Sequence, residues 1–296
     1  MVPLNRIREF FGQNSLDWFN IGYAFDWLSV LIIWAASQVA AIGPVYERDF
    51  SLDDPLISNP ERHNRISSVL NSNVAFVVPI IVISLGGILR KSFIDIHHGV
   101  LVVCASRGLA RLLTESIKHA VGRLRPDFLA RCRWNEVLEA CAGKASEVYK
   151  GRLSFPSGHS STAFSGMTVL SLWWAGATAA WCFSVRNPPM PSRMTNFLLS
   201  LFPLLWATWV AITRIQDFRH HKEDIIVGSI IGILSATISY LMYWPSPFSA
   251  RTFRHPTAME PRYLYIPEAE GRRPRSMSTT DFEFSRLPED DQVEAV

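Results

Sequence analysis

Three short stretches hold residues from which a reaction could be built. Lys118, six residues, Arg125 and Pro126 form the first. Pro156-Ser157-Gly158-His159 is the second. The third is Thr213-Arg214, five residues, His220, three residues and Asp224. Singly, each has an ordinary explanation as a helix anchor, a turn or a solvated helix end. Together they supply three cations, one helix start, two histidines and a carboxylate. That set can hold an anion and move protons around it, and the chemistry it suits is phosphoryl transfer. Arginine forks bind non-bridging phosphate oxygens bidentately and lysine acts as a point charge, so Lys118, Arg125 and Arg214 are the candidate phosphate ligands. Ser157 and Gly158 stand where a helix begins, and the unpaired N–H groups and positive end of a helix bind phosphate. Gly158 lets the backbone come close to the anion. Two histidines suit a double displacement, in which one attacks phosphorus and the other protonates the leaving oxygen and later activates water. His220 and Asp224 are four apart, which on a helix puts them on one face, and a carboxylate there would hold the imidazole in the attacking tautomer. The reading is therefore His220 as nucleophile, Asp224 as its orienter and His159 as general acid and base, with Pro126, Pro156 and Thr213 in support. His119, His159, His220 and His221 are expected on one side of the membrane without Cys or carboxylate partners at zinc-ligand spacing. The cations already do a metal's electrostatic work, so no metal or other cofactor is expected.

These residues must be positioned by elements of a particular kind. Of 296 residues, 48% are hydrophobic and 19% charged, and the mean hydropathy is +0.13. The apolar residues come in long blocks with the charges crowded between them. That pattern excludes a disordered or fibrous chain and a disulfide-stapled miniprotein. The net charge of +3 is scattered, with no basic run interleaved with aromatics, so no nucleic-acid partner is expected. Six stretches reach the roughly 20 residues that a bilayer crossing takes: Gly22–Ile42, Val69–Leu89, Val100–Ile117, Thr162–Phe183, Asn196–Ile212 and Ile225–Trp244. The fold class predicted is an all-α polytopic membrane protein, a bundle of six transmembrane helices. With six crossings, the loops after the third and fifth spans share a side, and the reactive stretches lie in those loops and at the adjoining span ends. Loop charges are nearly balanced across the membrane. Once the reactive-loop cations are assigned to an anion, the positive-inside rule places both termini in the cytoplasm.

The chain is then divided into a leader, 1–21, a six-span domain, 22–245, and a tail, 246–296. The leader mixes Phe10, Phe11, Trp18 and Phe19 with Arg6 and Arg8, as an interfacial helix or a plain polar leader would; nothing in it resembles a signal peptide. The tail is Pro-rich, basic at Arg272, Arg273 and Arg275, and acidic at its end. It reads as disordered, with Ser276 either a kinase site or part of a solvated charge run. In the third span Arg107, Arg111, Thr114 and Lys118 share a face, either as a polar path below the phosphate site or, preferably, as an internal ion pair involving Glu115 or as snorkelling side chains. Cys104 and Cys182 lie in apolar blocks. Cys132 and Cys141 share one polar loop and form a disulfide if it faces an oxidising lumen, or remain free thiols otherwise. Gly228 and Gly232 make a small-xxx-small row that permits close helix contact, and His220 and Asp224 continue it.

The three stretches resemble the tripartite motif of the type-2 phosphatidic acid phosphatases, K-x6-R-P, P-S-G-H and S-R-x5-H-x3-D. Thr213 stands where serine is usual and keeps the hydroxyl. The resemblance is closer to the lipid phosphate phosphatases, and nearest to the fungal and plant branch that includes diacylglycerol pyrophosphate phosphatases. It rests on Gly122-Arg-Leu-Arg-Pro-Asp-Phe128, Pro156-Ser-Gly-His-Ser-Ser161 and Arg214-Ile-Gln-Asp-Phe-Arg-His-His221. Lys222 replaces the Trp that often follows. The resemblance covers roughly residues 20–245. It implies a metal-independent, six-helix membrane enzyme with an extracytoplasmic site, acting on phosphatidate, lysophosphatidate, diacylglycerol pyrophosphate or sphingoid phosphates. It also selects His220 over its neighbour His221 as nucleophile, by the five-residue spacing from Arg214. The expected partners are lipid phosphates and the bilayer; the sequence carries no signal for oligomeric state. A phosphotransferase of the same fold and a non-catalytic lipid-binding or transport protein are the competing readings.

Overall fold

The computed structural model describes residues 10–11, 18–185, 192–254, 260–262 and 264–265. Most of the leader and of the tail, Ser276 included, lies outside them. Six long helices dominate: α1 (Ile21–Ala41), α2 (Ser68–Leu89), α3 (Phe93–Val121), α6 (Gly158–Thr178), α7 (Arg193–Gln216) and α8 (Lys222–Tyr243). Between α3 and α6 lie two short helices, α4 (Phe128–Cys132) and α5 (Ala145–Gly151), and a hairpin of β1 (Trp134–Asn135) and β2 (Ala140–Cys141). The hairpin is antiparallel, with Trp134 opposite Cys141.

Each of the six predicted spans coincides with a long helix. Four of them, α1, α2, α7 and α8, are long and apolar enough by themselves to cross a membrane. The other two, α3 and α6, carry more polar residues and sit in the middle of the bundle. Their polar groups meet one another instead of lipid. Ser106 donates to the Ser165 carbonyl at 3.0 Å and Thr114 to Ser161 at 2.9 Å. A helix wrapped by other helices has no need of an apolar surface, which is why hydropathy is weakest where burial is greatest. The core of Leu101, Val102, Val169, Leu172, Ala236 and Tyr240 fills the space between α3, α6 and α8. Large apolar side chains such as Phe25, Leu31, Val39, Ile81, Phe202 and Ile230 cover the outside.

Glycines set the closest approaches. A Cβ at Gly228 would lie 2.5 Å from the Ser157 carbonyl oxygen, and one at Gly232 would lie 2.7 Å from that of Ser161. The row on α8 therefore faces the start of α6. The internal ion pair expected on α3 forms through its last cation. Lys118, not Arg107 or Arg111, takes Glu115, at 2.8 Å, while Arg111 donates to Gln38 on α1 at 2.9 Å.

The chain before α1 and the chain after α8 meet at one end of the bundle. Trp18 packs on Phe93 and His98 at the start of α3, Leu264 N–H donates to the Tyr23 hydroxyl, and Arg262 N–H donates to the Tyr243 carbonyl. The three reactive stretches lie at the other end.

Candidate active site

Lys118 is on the last turn of α3. That helix stops at Gly122, whose φ of 57° is left-handed and whose N–H bonds the Lys118 carbonyl. A Cβ there would lie 1.7 Å from the Tyr46 carbonyl oxygen, so glycine is required twice over, for conformation and for space. Beyond it the chain turns to bring Arg123 and Arg125 over the bundle end. Arg125 N–H bonds the Gly151 carbonyl and the Pro126 carbonyl accepts from Asn59. The loop between α1 and α2 thereby braces the first motif from outside.

Ser157 caps α6. Its hydroxyl accepts from Ser160 N–H, and its own N–H donates to the Asp224 carbonyl at 2.8 Å. Ser157 N–H is thus spent on structure, while its hydroxyl accepts and keeps its own proton to donate, and the residue holds the helix start that Gly158 and His159 begin. The Lys118 ammonium lies beside this start, 2.9 Å from where a Gly158 Cβ would be.

Arg214, on the last turn of α7, is buried. Its guanidinium donates to the Thr213 hydroxyl at 3.1 and 3.0 Å, to Asp217 at 3.0 Å and to Asn64 at 3.3 Å. The Thr213 hydroxyl in turn donates to the Val210 carbonyl. A hydroxyl at position 213 therefore fixes the arginine fork, and threonine does this as well as serine.

His220 differs from the helical expectation. It precedes α8, whose N-cap is His221, so His220 and Asp224 do not share a helix face. The His220 Nδ1 meets the Ser154 carbonyl oxygen at 2.7 Å, and the nearer Asp224 oxygen is 3.6 Å away. A carbonyl only accepts, so Nδ1 carries the proton and Nε2 of the neutral ring carries the lone pair. Burial outweighs the opposing pull of Asp224 and, with smaller repulsions from Arg125 and Lys118, brings the imidazole down from 6.5 to about 4, so it is neutral near pH 7. Asp224 instead ties the three motifs together. Its carboxylate accepts from Arg123 at 2.9 Å, from the Ser154 hydroxyl at 2.5 Å and from His221 N–H at 2.9 Å. His221 turns to the Leu124 carbonyl, toward the first motif.

His159, His220, Arg125 and Arg214 line one cavity of about 310 Å³, together with Glu61, Asn64, Ser68, Arg131, Glu147, Lys150 and Arg219. His159 is anchored by Asn71, which donates to its carbonyl, and its Nε2 is buried without a hydrogen-bond partner. Burial lowers Arg125 to about 10, which leaves it cationic. Lys118 stands behind the helix start, outside the cavity lining. Cys132 and Cys141 are joined as a disulfide, next to the cavity residue Arg131. Among the described residues no group of three or more His, Cys, Asp or Glu is placed to hold a metal. His119 bonds the Glu115 carbonyl and the Tyr149 hydroxyl instead. Sequence reasoning missed Ser154, Arg123, Asn64 and Asp217. Arg123 sits inside the quoted first motif, but nothing in the sequence ties Ser154 to His220.

A six-helix membrane bundle with a basic, two-histidine cavity at one end defines a class, and comparison with known proteins names it. Residues 99–247 match the PAP2 superfamily, and this chain belongs to that family. It is 34% identical over 235 residues to Lipid phosphate phosphatase 1 of Arabidopsis thaliana, covering 75% of this chain and 68% of that protein. It is 33% identical over 218 residues to Diacylglycerol pyrophosphate phosphatase 1 of Saccharomyces cerevisiae, covering 68% and 72%. It is 30% identical over 260 residues to human Phospholipid phosphatase 2, covering 79% and 87%. No solved structure gives a significant match.

Proposed function

We propose that this integral membrane protein is a lipid phosphate phosphatase that works through a phosphohistidine on His220. The observation that carries the reading is the single cavity into which His159, His220, Arg125 and Arg214 converge. A phosphate held by Arg125 and Arg214, with the Gly158 helix start and Lys118 behind it, presents phosphorus to His220 Nε2. The Nε2–P bond forms as the P–O bond to the lipid breaks, and the electron pair stays on the leaving oxygen. His159 protonates that oxygen; the phosphate dianion offsets the surrounding cations and lets the ring hold a proton. His159 then takes a proton from water, which displaces His220 and releases phosphate. Asp224 acts through Ser154, whose carbonyl sets the His220 tautomer. The substrates are phosphatidate-type monoesters and the terminal phosphate of diacylglycerol pyrophosphate, a range suggested by the relatives' names.

The cavity faces the extracytoplasmic or luminal side, and both chain ends face the cytoplasm. The Cys132–Cys141 disulfide beside the cavity supports this, because such bonds persist in oxidising compartments. The test is phosphate release by purified protein from a panel of lipid phosphates in excess EDTA. Full activity with EDTA and an acid-labile phosphoenzyme are expected. Activity restored only by magnesium, or transfer to an alcohol with no free phosphate, would overturn the reading.

A further inference from the structure

The cavity holds more cations than one phosphate needs. Arg125 and Arg214 suffice for its non-bridging oxygens, yet Arg131, Lys150 and Arg219 line the same space. Resting on the assignment of His220 and His159 above, we propose that Arg131, Lys150 and Arg219 form a second phosphoryl subsite at the cavity mouth, which takes the inner phosphate of a lipid diphosphate while its terminal phosphate is cleaved on the floor.

Lys150 alone of the three marks the opening, for the side chains of Arg131 and Arg219 are buried to 1% and 11% exposure beneath it. Arg214 is fully buried, whereas the Lys150 side chain is 58% exposed. At the mouth two cations already converge on one anionic group: Glu147 accepts from Arg131 at 2.5 Å and from Lys150 at 2.9 Å. That carboxylate occupies the place of an anion, and at 35% exposure it is free to swing out. Arg131 would stay in position without it, because Asp127 holds its guanidinium through two bonds of 3.0 and 2.8 Å. Arg219 reaches the same Asp127 at 3.3 Å, and its Nε is buried without a partner. In-line attack by His220 drives the leaving group away from the floor, toward the mouth. In a monoester that group is a neutral alcohol after protonation. In a diphosphate it is a phosphate, which keeps the bridging oxygen and its electron pair and gains negative charge as the Nε2–P bond forms. Cations at the mouth stabilise that charge and do little for an alcohol.

The experiment compares full-length wild type, Lys150→Gln and Glu147→Gln on diacylglycerol pyrophosphate and phosphatidate of matched acyl chains in mixed micelles. Lys150→Gln removes a charge-assisted bond, so the ratio of kcat/KM for diphosphate over monophosphate falls about tenfold. Glu147→Gln frees both cations, and the ratio rises. Both substitutions are at partly exposed side chains, which limits any effect on folding. A ratio unchanged in either variant overturns the subsite. A wild type that hydrolyses neither lipid instead overturns the phosphatase reading itself.

Discussion

At the scale of single residues, the contacts of each site group decide what its loss should cost. Arg125 and Arg214 each place donors where phosphoryl charge changes, so Arg125→Ala and Arg214→Ala should each lower kcat by about 10²–10³. Near-normal turnover in both would show the phosphate to bind elsewhere. His220→Ala should abolish the acid-labile phosphoenzyme, whereas His221→Ala, which loses a bond to the Leu124 carbonyl, should retain it; the reverse result would exchange the two roles. The pH profile carries a separate expectation. A His220 lowered from 6.5 to about 4 loses its lone pair only in strong acid, so the acid limb assigned to the nucleophile should lie near 4. The same lowering makes neutral His220 stabilising above pH 6.5, a contribution lost as pH falls toward 4. If the wild type loses no more stability than His220→Ala between pH 6.5 and 4, the burial of His220 is contradicted. The residues of these predictions were legible in the sequence because side-chain type and spacing carry their chemistry. Ser154 was not, because its contribution to His220 is a backbone carbonyl 66 positions away, and any residue type supplies a carbonyl.

At the scale of elements, the site depends on how α3 ends and how α6 meets α8. A Cβ at Gly228 would press on the Ser157 carbonyl at 2.5 Å, and backbone cannot move aside as a flexible side chain can. Gly228→Ala should therefore displace the start of α6 and lower both thermal stability and kcat, while Ser229→Ala, beside it on α8, should do much less. Equal effects would mean that this contact does not set the site. The helices themselves could be read from apolar runs, and the inward turn of Gly228 from its small-residue spacing. The placement of His220 could not. Whether a residue lies inside a first turn or just before it depends on the cap, and sequence places helix ends only to within a residue or two. Asp224 closing on His221 N–H starts α8 at Lys222 and leaves His220 in the loop, where it meets Ser154 instead of Asp224.

At the scale of the whole molecule, six long helices running up and down the bundle bring the chain ends together opposite the cavity, and those six helices were readable although only four qualify alone as membrane spans. What no run of hydropathy could convey is that α3 and α6 are polar because the other four shield them. The position of the cavity at one end of the bundle has a further consequence. On the proposed function, headgroups reach His220 only from the leaflet at that end, so the protein would distinguish two pools of the same lipid by location alone. Protein inserted in one orientation into sealed vesicles should release phosphate until the facing leaflet is exhausted and then stop, with the remainder hydrolysed only after a scramblase is added. Hydrolysis running straight to completion would require a second route to the site. Of the two products, phosphate departs into water while the dephosphorylated lipid stays in the leaflet. One face of the membrane thus loses anionic charge as the reaction proceeds, and the enzyme acts on the asymmetry of the bilayer as well as on its composition.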